Sequence, residues 1–394
     1  MRRTGALITA VLCLFSIANA QQLPVHSTDS VGPSGSGCLQ EQLIAGGIDN
    51  TLNLQGTHPA LHSAESYHSA SGRFVRIPPM NAGRNGHDAT LLADGEVLIS
   101  GGDGLPSDHP IASAETYSPS NGIFTLTGAM TTPRVAHSAV LLPNGLVLVA
   151  GGQNQRFENQ NTAELFDPVS RTFSSTGSMT DARTGHSATL LNTGQVLIAG
   201  GENSTGILSS AELYDPGTGT FTPTGAMTIP RIFAPATLLS DGRVLIAGGG
   251  TQTTTCGGCS VASAEVYDPT AATFTSVGNM RFSRRGHVAA ELPNHNVLIV
   301  GGIDDDSDRL LASAEIFHLD SLAFSLTGPM TTVRLGPTAS VLCNGEVLIT
   351  GGFDSGSSVT NTAEIYNFKT RSFTATGNMT QPRGDHTGTA LSPP

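Results

Sequence analysis

One feature limits what this chain can fold into more than any other: a unit repeated seven times. Gly-Gly pairs begin at Gly46, Gly101, Gly151, Gly200, Gly248, Gly301 and Gly351, spaced 55, 50, 49, 48, 53 and 50 residues apart. After each pair comes a Ser/Thr-Ala-Glu triplet, with its acid at Glu65, Glu115, Glu164, Glu212, Glu265, Glu315 or Glu364. An aromatic stands two residues beyond (Tyr67, Tyr117, Phe166, Tyr214, Tyr267, Phe317, Tyr366), and a Phe seven residues after that (Phe74, Phe124, Phe173, Phe221, Phe274, Phe324, Phe373). Then come Met80, Met130, Met179, Met227, Met280, Met330 and Met379, each followed four residues later by an Arg: Arg84, Arg134, Arg183, Arg231, Arg284, Arg334 or Arg383. A period of this length marks an array of identical supersecondary units.

Each unit reads as four strands. The first follows the Arg, as in Ser138-Ala-Val-Leu-Leu142. A two-residue turn is expected at Asp94-Gly95, Asn144-Gly145, Asp241-Gly242 and Asn344-Gly345, pairs that tolerate positive φ. The second strand, Val97-Leu98-Ile99 or Val196-Leu197-Ile198, is continuously apolar and so expected to be buried on both faces. The third carries the Ala-Glu-x-Tyr segment, Asp167-Pro168 and its equivalents turn the chain, and the fourth carries the Phe. Such a unit cannot bury both faces alone, so neighbours must stack around an axis.

The two ends of the repeat region complement one another. The first unit opens on a second strand, Gln42-Leu43-Ile44-Ala45, and the last segment, His386 to Leu391, reads as a first strand. Together they make one unit. The sequence therefore predicts an all-β, seven-bladed β-propeller over 41–394, built of four-stranded antiparallel blades. The C-terminal strand completes the N-terminal blade and removes open sheet edges.

Ahead of the propeller, Arg2 and Arg3 precede a largely apolar run, and Ala18-Asn19-Ala20 forms a small-x-small site. Residues 1–20 read as a secretory signal peptide cleaved near Ala20, and 21–40 as a flexible lead-in rich in Ser, Gly and Pro. A secreted or periplasmic location follows. The formal net charge of the whole chain is −12, which argues against nonspecific binding to nucleic acid or anionic membrane. A monomer is expected.

The Gly pair, the Tyr, the aromatic seven residues on and the Arg-x-x-His opening, as in Arg134-Val-Ala-His137, resemble the kelch repeat. In particular they resemble the kelch blades of the galactose oxidase central domain. Phe stands here where kelch blades usually carry Trp. The resemblance implies the propeller; it leaves function open, because propellers host enzymes, binding proteins and scaffolds alike. Galactose oxidases use copper and a Tyr crosslinked to a Cys. All five Tyr of this chain occupy the same third-strand position, which leaves none for such a centre. Kelch-type sialic acid mutarotases share an exported compartment, yet no residue singles out that chemistry.

The polar repeat positions admit two readings. The seven Arg and seven Glu read as complementary pairs bridging strands or blades, since a buried carboxylate needs a partner and Arg offers a planar fork. Alternatively, Arg84, Arg134, Arg183, Arg231, Arg284, Arg334 and Arg383 form a cationic ring binding an anionic ligand at the channel mouth. His87, His137, His186, His287 and His386 follow five of these Arg by three residues and are read as hydrogen-bonded to backbone within their own blades. Asp304, Asp306 and Asp308 lie in an acidic run whose alternate carboxylates are weak candidates for Ca²⁺; a solvated loop is the preferred reading, and no cofactor is expected. Cys256 and Cys259 suggest a local disulfide. Cys38 and Cys343 each lie eight residues before a Gly pair, in the two blades beside the closure, and are expected to clamp that seam as a disulfide. The functional expectation is a binding module presenting loops on one face to a glycan or protein. A carbohydrate-active enzyme with its site at the channel mouth is the alternative.

Overall fold

The computed structural model describes residues 40–52, 58–104, 109–252, 259–354 and 358–391. Among them there are strands and no helix, hence no helix long and apolar enough to cross a membrane. Seven antiparallel sheets dominate. Blade II shows the pattern: inner strand Asp88–Leu91, then Val97–Ser100, Ala114–Ser118 and outer strand Ile123–Leu126. The inner strands of blades III to VII are Ser138–Leu141, Ser187–Leu190, Ala236–Leu238, Val288–Glu291 and Thr338–Val341. Blade I is composite: Glu41–Ala45, Ala64–His68 and Arg73–Ile77 are joined by the C-terminal strand Thr387–Ala390.

The closure is a real sheet edge. Gln42, Leu43, Ile44 and Ala45 pair antiparallel with Ala390, Thr389, Gly388 and Thr387. Leu391 N donates to Glu41 O, and Gln40 Nε2 donates to Leu391 O. Each inner strand touches the inner strands of both neighbours, and the circle is complete from blade I through blade VII and back. The fold expected from the repeat is the fold observed.

Second strands are buried throughout, as their apolar runs demand. The core lies between blades: Leu43 and Ala45 of blade I cluster with Leu91, Val97 and Ile99 of blade II, with Met80 between them. The aromatic and the Phe seven residues on are cross-strand partners, as with Tyr67 and Phe74, and their rings sit tilted 4.7–5.1 Å apart in all seven blades. The hairpin turns differ from expectation. Leu92 N donates to Glu96 O and Gly95 N to Leu92 O, so the loop has three residues, and positive φ falls on Gly95 alone. The Asp94 carboxylate accepts from Glu96 N instead.

The expected leader, the lead-in up to residue 39, Cys38 and Cys256 lie outside the described residues; Gln40, the last residue of the expected lead-in, is buried at the closure. Cys259 and Cys343 are each disulfide-bonded. Gln42 is the misfit of the seam. It is fully buried where the other six blades carry Val97, Val147, Val196, Val244, Val297 and Val347, and neither atom of its amide has a hydrogen bond among the described residues. An unmet buried amide costs roughly 1–3 kcal/mol. Gln42→Val is expected to raise the denaturation midpoint, with a gain of about 1–2 kcal/mol. A lowered midpoint in urea titration would contradict this account of the seam.

Candidate functional site

The Gly pairs, the Arg and the Glu build one inter-blade device. Both glycines of every pair have φ between 59° and 93°. A Cβ on the first would lie 2.4–2.7 Å from the carbonyl oxygen of the Arg that opens the next blade. The second glycine donates its N–H to that same oxygen at 2.7–2.9 Å. The Arg side chain turns the other way, into the blade it opens. Arg134 Nη1 donates to Gly151 O and Thr162 O, and Nη2 to Thr162 Oγ1 and Glu164 Oε1. Glu164 also accepts from Thr131 N and Thr132 N of the incoming link. All seven ion pairs recur at 2.9–3.2 Å, and the last, Arg383 to Glu65, crosses the chain closure.

These arginines are 0–1% exposed. The alternative of a cationic ring at the channel mouth, made of Arg84, Arg134, Arg183, Arg231, Arg284, Arg334 and Arg383, is therefore corrected: the guanidinium groups are inside the blades, committed to carbonyls and carboxylates. Removing one partner strands a buried charge, which costs about 3–5 kcal/mol. Glu164→Ala is expected to lose stability on that scale in urea titration. Glu96→Ala breaks a partly exposed pair with Arg171 and is expected to cost no more than about 1 kcal/mol.

The five histidines are also interior, and their partners differ from expectation. His87 Nε2 lies 3.0 Å from Thr387 Oγ1, His137 Nε2 3.1 Å from Ser100 Oγ, and His186 Nε2 2.9 Å from Ser138 Oγ. His386 Nε2 meets Thr350 Oγ1, whereas neither ring nitrogen of His287 has a hydrogen bond among the described residues. Each of the four hydroxyl partners belongs to the preceding blade, so these four imidazoles join blades. Burial, and secondarily the neighbouring arginines, push all five down to about 3.

The sign of the pH effect follows. A histidine neutral when folded takes a proton in the unfolded chain below its ordinary value of 6.5, so its stabilisation is full above pH 6.5 and is lost as pH falls toward about 3. Asp88 and Asp385, raised by burial from 3.8 to about 7 and about 8, act in the opposite sense: each loses stability as pH rises from 3.8 through its folded value. Near pH 5 the histidines outnumber the acids, so stability declines into acid. His137→Gln and His186→Gln are each expected to flatten that decline by up to one proton, about 1.4 kcal/mol per pH unit. Denaturation midpoints across pH 4.5–7 check it; parallel profiles for variant and parent would contradict it.

The channel mouth is formed by the residue two after each Arg: Gly86, Ala136, Gly185, Phe233, Gly286, Gly336 and Asp385. All seven have φ of 51–62°. They link hand to hand: Gly86 N donates to Asp385 O, Ala136 N to Gly86 O, Gly185 N to Ala136 O, Phe233 N to Gly185 O and Gly336 N to Gly286 O. The neighbouring residue of each link pairs with the residue after a Gly pair, as Asn85 with Asp103 and Leu335 with Phe353. The ring thus shares a face with the loops between second and third strands.

Here the repeat breaks. Ala136, Phe233 and Asp385 hold a left-handed backbone that costs a side-chain-bearing residue about 1 kcal/mol or more. One side of the mouth is apolar, with Ile48, Ile303, Leu335, Phe353 and Val359 clustered and Phe233 packed on them. The other side holds Asn85, Asp103 and Asp385, all 3–5% exposed. Farther out, Phe157 stands 56% exposed at a loop tip with φ 58°, its ring 5.8 Å from His109.

The acidic loop does not gather a metal site. Asp304 accepts from Ser283 Oγ and Ser307 Oγ, Asp305 grips Arg285 through two bonds of 2.7 Å, and Asp306 and Asp308 point outward as exposed residues. Among the described residues no three His, Cys, Asp or Glu side chains converge. Tyr67, Tyr214, Tyr267 and Tyr366 spend their hydroxyls on Thr376, Thr176, Thr224 and Thr327 of the preceding blade.

The comparisons agree with this architecture. The Kelch motif family model matches residues 182–228 and 334–380, two stretches that each run from a repeat Arg past the next repeat Met. The chain carries Kelch motif repeats in these two stretches, and its fold is that of a β-propeller. Among solved structures it is similar to that of YjhT, with 15% identity, TM-score 0.58, 76% of this chain and 99% of that one covered. It is also similar to a fungal alcohol oxidase of the AA5 family in complex with copper, with 19% identity, TM-score 0.63, 81% of this chain and 70% of that one covered. At these identities the likeness is one of fold. No curated protein matches the sequence.

Proposed function

We propose that this protein is an exported kelch propeller that binds a glycan or protein ligand on the mouth face. One observation carries the reading: the polar residues that recur in every blade are consumed inside the ring, and the irregular ones gather at the mouth and on its loops. Phe233, Phe157 and His109 offer aromatic surface beside polar groups, a combination suited to either ligand. Loops carried on a rigid scaffold are where binding residues concentrate. A second reading, a carbohydrate-active enzyme, rests on Asp385, a buried carboxyl that departs from the repeat and that burial and Asp103 push up to about 8.

Thermal-shift measurements against a panel of monosaccharides, sialic acid and oligosaccharides test the glycan arm, since a ligand that prefers the folded state raises the midpoint. Affinity capture from the extracytoplasmic fraction tests the protein arm. Phe157→Ser and Phe233→Gly are expected to abolish the interaction found, whereas Arg243→Ser in a hairpin on the opposite face leaves it intact. An interaction lost on the opposite face and kept in the mouth variants would refute the reading. Turnover of a sugar, lost in Asp385→Asn with binding retained, would establish the enzymatic alternative.

A further inference from the structure

The loop between the second and third strands of blade III closes on itself. Asn154 N donates to Glu158 O, Phe157 N donates to Asn154 O, and the carboxamide oxygen of Asn154 accepts from Arg156 N and Glu158 N. Asn154 Nδ2 donates to the Glu158 carboxylate at 2.9 Å, and Gln160 Nε2 donates to Glu158 O at 2.8 Å. The loop is also tied sideways to blade II, where Gln155 Nε2 donates to Pro110 O. At its tip Phe157 is 56% exposed and holds φ at 58°. A left-handed backbone is unfavourable for a bulky L residue, and an exposed ring adds no core packing. Stability therefore gives little reason for Phe at a point where Gly would fit better. Facing the ring is the exposed His109 of blade II, 5.8 Å away between centroids and tilted by 59°. The two rings stand on loops fixed to one another and form a shallow corner on the mouth face.

The size and surroundings of this corner select its occupant. Among the described residues Leu52, in blade I, is the other large apolar side chain exposed on the mouth loops. A stable protein interface needs roughly 800 Å² per partner with an apolar centre, which one ring does not supply. One ring does match one sugar. Its face is apolar and electron-rich and meets the C–H face of a pyranose, while polar side chains at its edge meet the hydroxyls. Gln155, Arg156 and Glu158 are exposed beside Phe157 and provide such groups. The platform stands on a loop tip rather than in a pocket, so it suits the middle of an extended chain lying across it. A glycan linked through equatorial bonds presents flat C–H faces along its length. Arg156 and Glu158 offset one another at the tip, and the whole protein carries −12, which disfavours a polyanion.

We propose that Phe157 and His109 form a stacking platform for a neutral, equatorially linked pyranose chain of the β-mannan or cellulose type. The proposal rests on the reading of the mouth face as the ligand-binding surface and names the ligand class that it takes. Preorganisation explains the strained tip: the ring is held in place before the glycan arrives, so little ordering is left to be done on binding.

The test titrates the full-length protein with mannohexaose, cellohexaose and a hexameric mannuronate of the same linkage, read by calorimetry. Mannohexaose or cellohexaose is expected to bind, and the mannuronate, which differs from mannohexaose in its carboxylates, at least about tenfold more weakly. Phe157→Gly is expected to weaken binding at least about tenfold, while its thermal midpoint without glycan equals or exceeds that of the parent, because glycine accepts the left-handed backbone. Phe157→Trp enlarges the stacking face and is expected to bind at least as tightly as the parent. The proposal is overturned if none of the three glycans binds, if the mannuronate binds as tightly as mannohexaose, or if Phe157→Gly binds as the parent does. Capture of a protein that Phe157→Gly no longer holds, with no glycan bound, overturns the glycan platform and leaves the mouth-face reading standing. A glycan bound equally by the parent, Phe157→Gly and Phe233→Gly overturns both.

Discussion

The structure depends on one arginine, used in two directions at once. Its carbonyl is the acceptor for the second glycine of the preceding blade, and its guanidinium is buried against a glutamate in the blade it opens. A buried charge is tolerable only when paired and hydrogen-bonded, and here each guanidinium meets two carbonyls, a hydroxyl and a carboxylate within one fork. Lysine lacks that planar fork, which fits a chain whose only lysine is Lys369, exposed in a turn. The glycines are the complement: a side chain on the first would collide with the carbonyl that organises the junction.

Because the device is repeated seven times around a closed circle, the ring has no privileged start. The cut between the ends of the chain is bridged by the same bonds that bridge every other junction, together with a four-residue strand pairing. Gln42 marks the cost of making one blade from two distant segments, an unmet amide amid valines. Four of the histidines add a second tie between blades; His287 makes no such bond, and Ala234 and Pro337 stand in that place at the other two junctions.

Satisfying the repeated polar residues internally has a functional consequence. What is identical in every blade is spent on holding the blades together, so recognition falls to residues that differ. These gather at the left-handed ring around the axis, where Phe233 and Asp385 replace glycine, and on the loops that share its face. The mouth is consequently two-sided, apolar over blades VI, VII and I and oxygen-rich between blades I and II. That asymmetry arises from single substitutions within a symmetrical frame.

The amino-acid sequence by itself determined the seven units, their four strands, the closure by the last strand and the pairing of Arg with Glu. Each of these rests on periodicity and on the requirement that buried groups be covered or paired. It misjudged the hairpins, because a dipeptide such as Asp94-Gly95 fits both a two-residue turn and the three-residue loop observed, and only the strand ends choose between them. It placed the histidine partners in the wrong blade and admitted an arginine ring at the mouth, because spacing along a chain does not say on which side of a junction a side chain lies. The mouth itself went unread: Asn85, Asp103 and Asp385 are far apart in sequence and match no spaced motif. Tertiary structure alone brings them together, since closing the circle sets the last link of the chain beside the first.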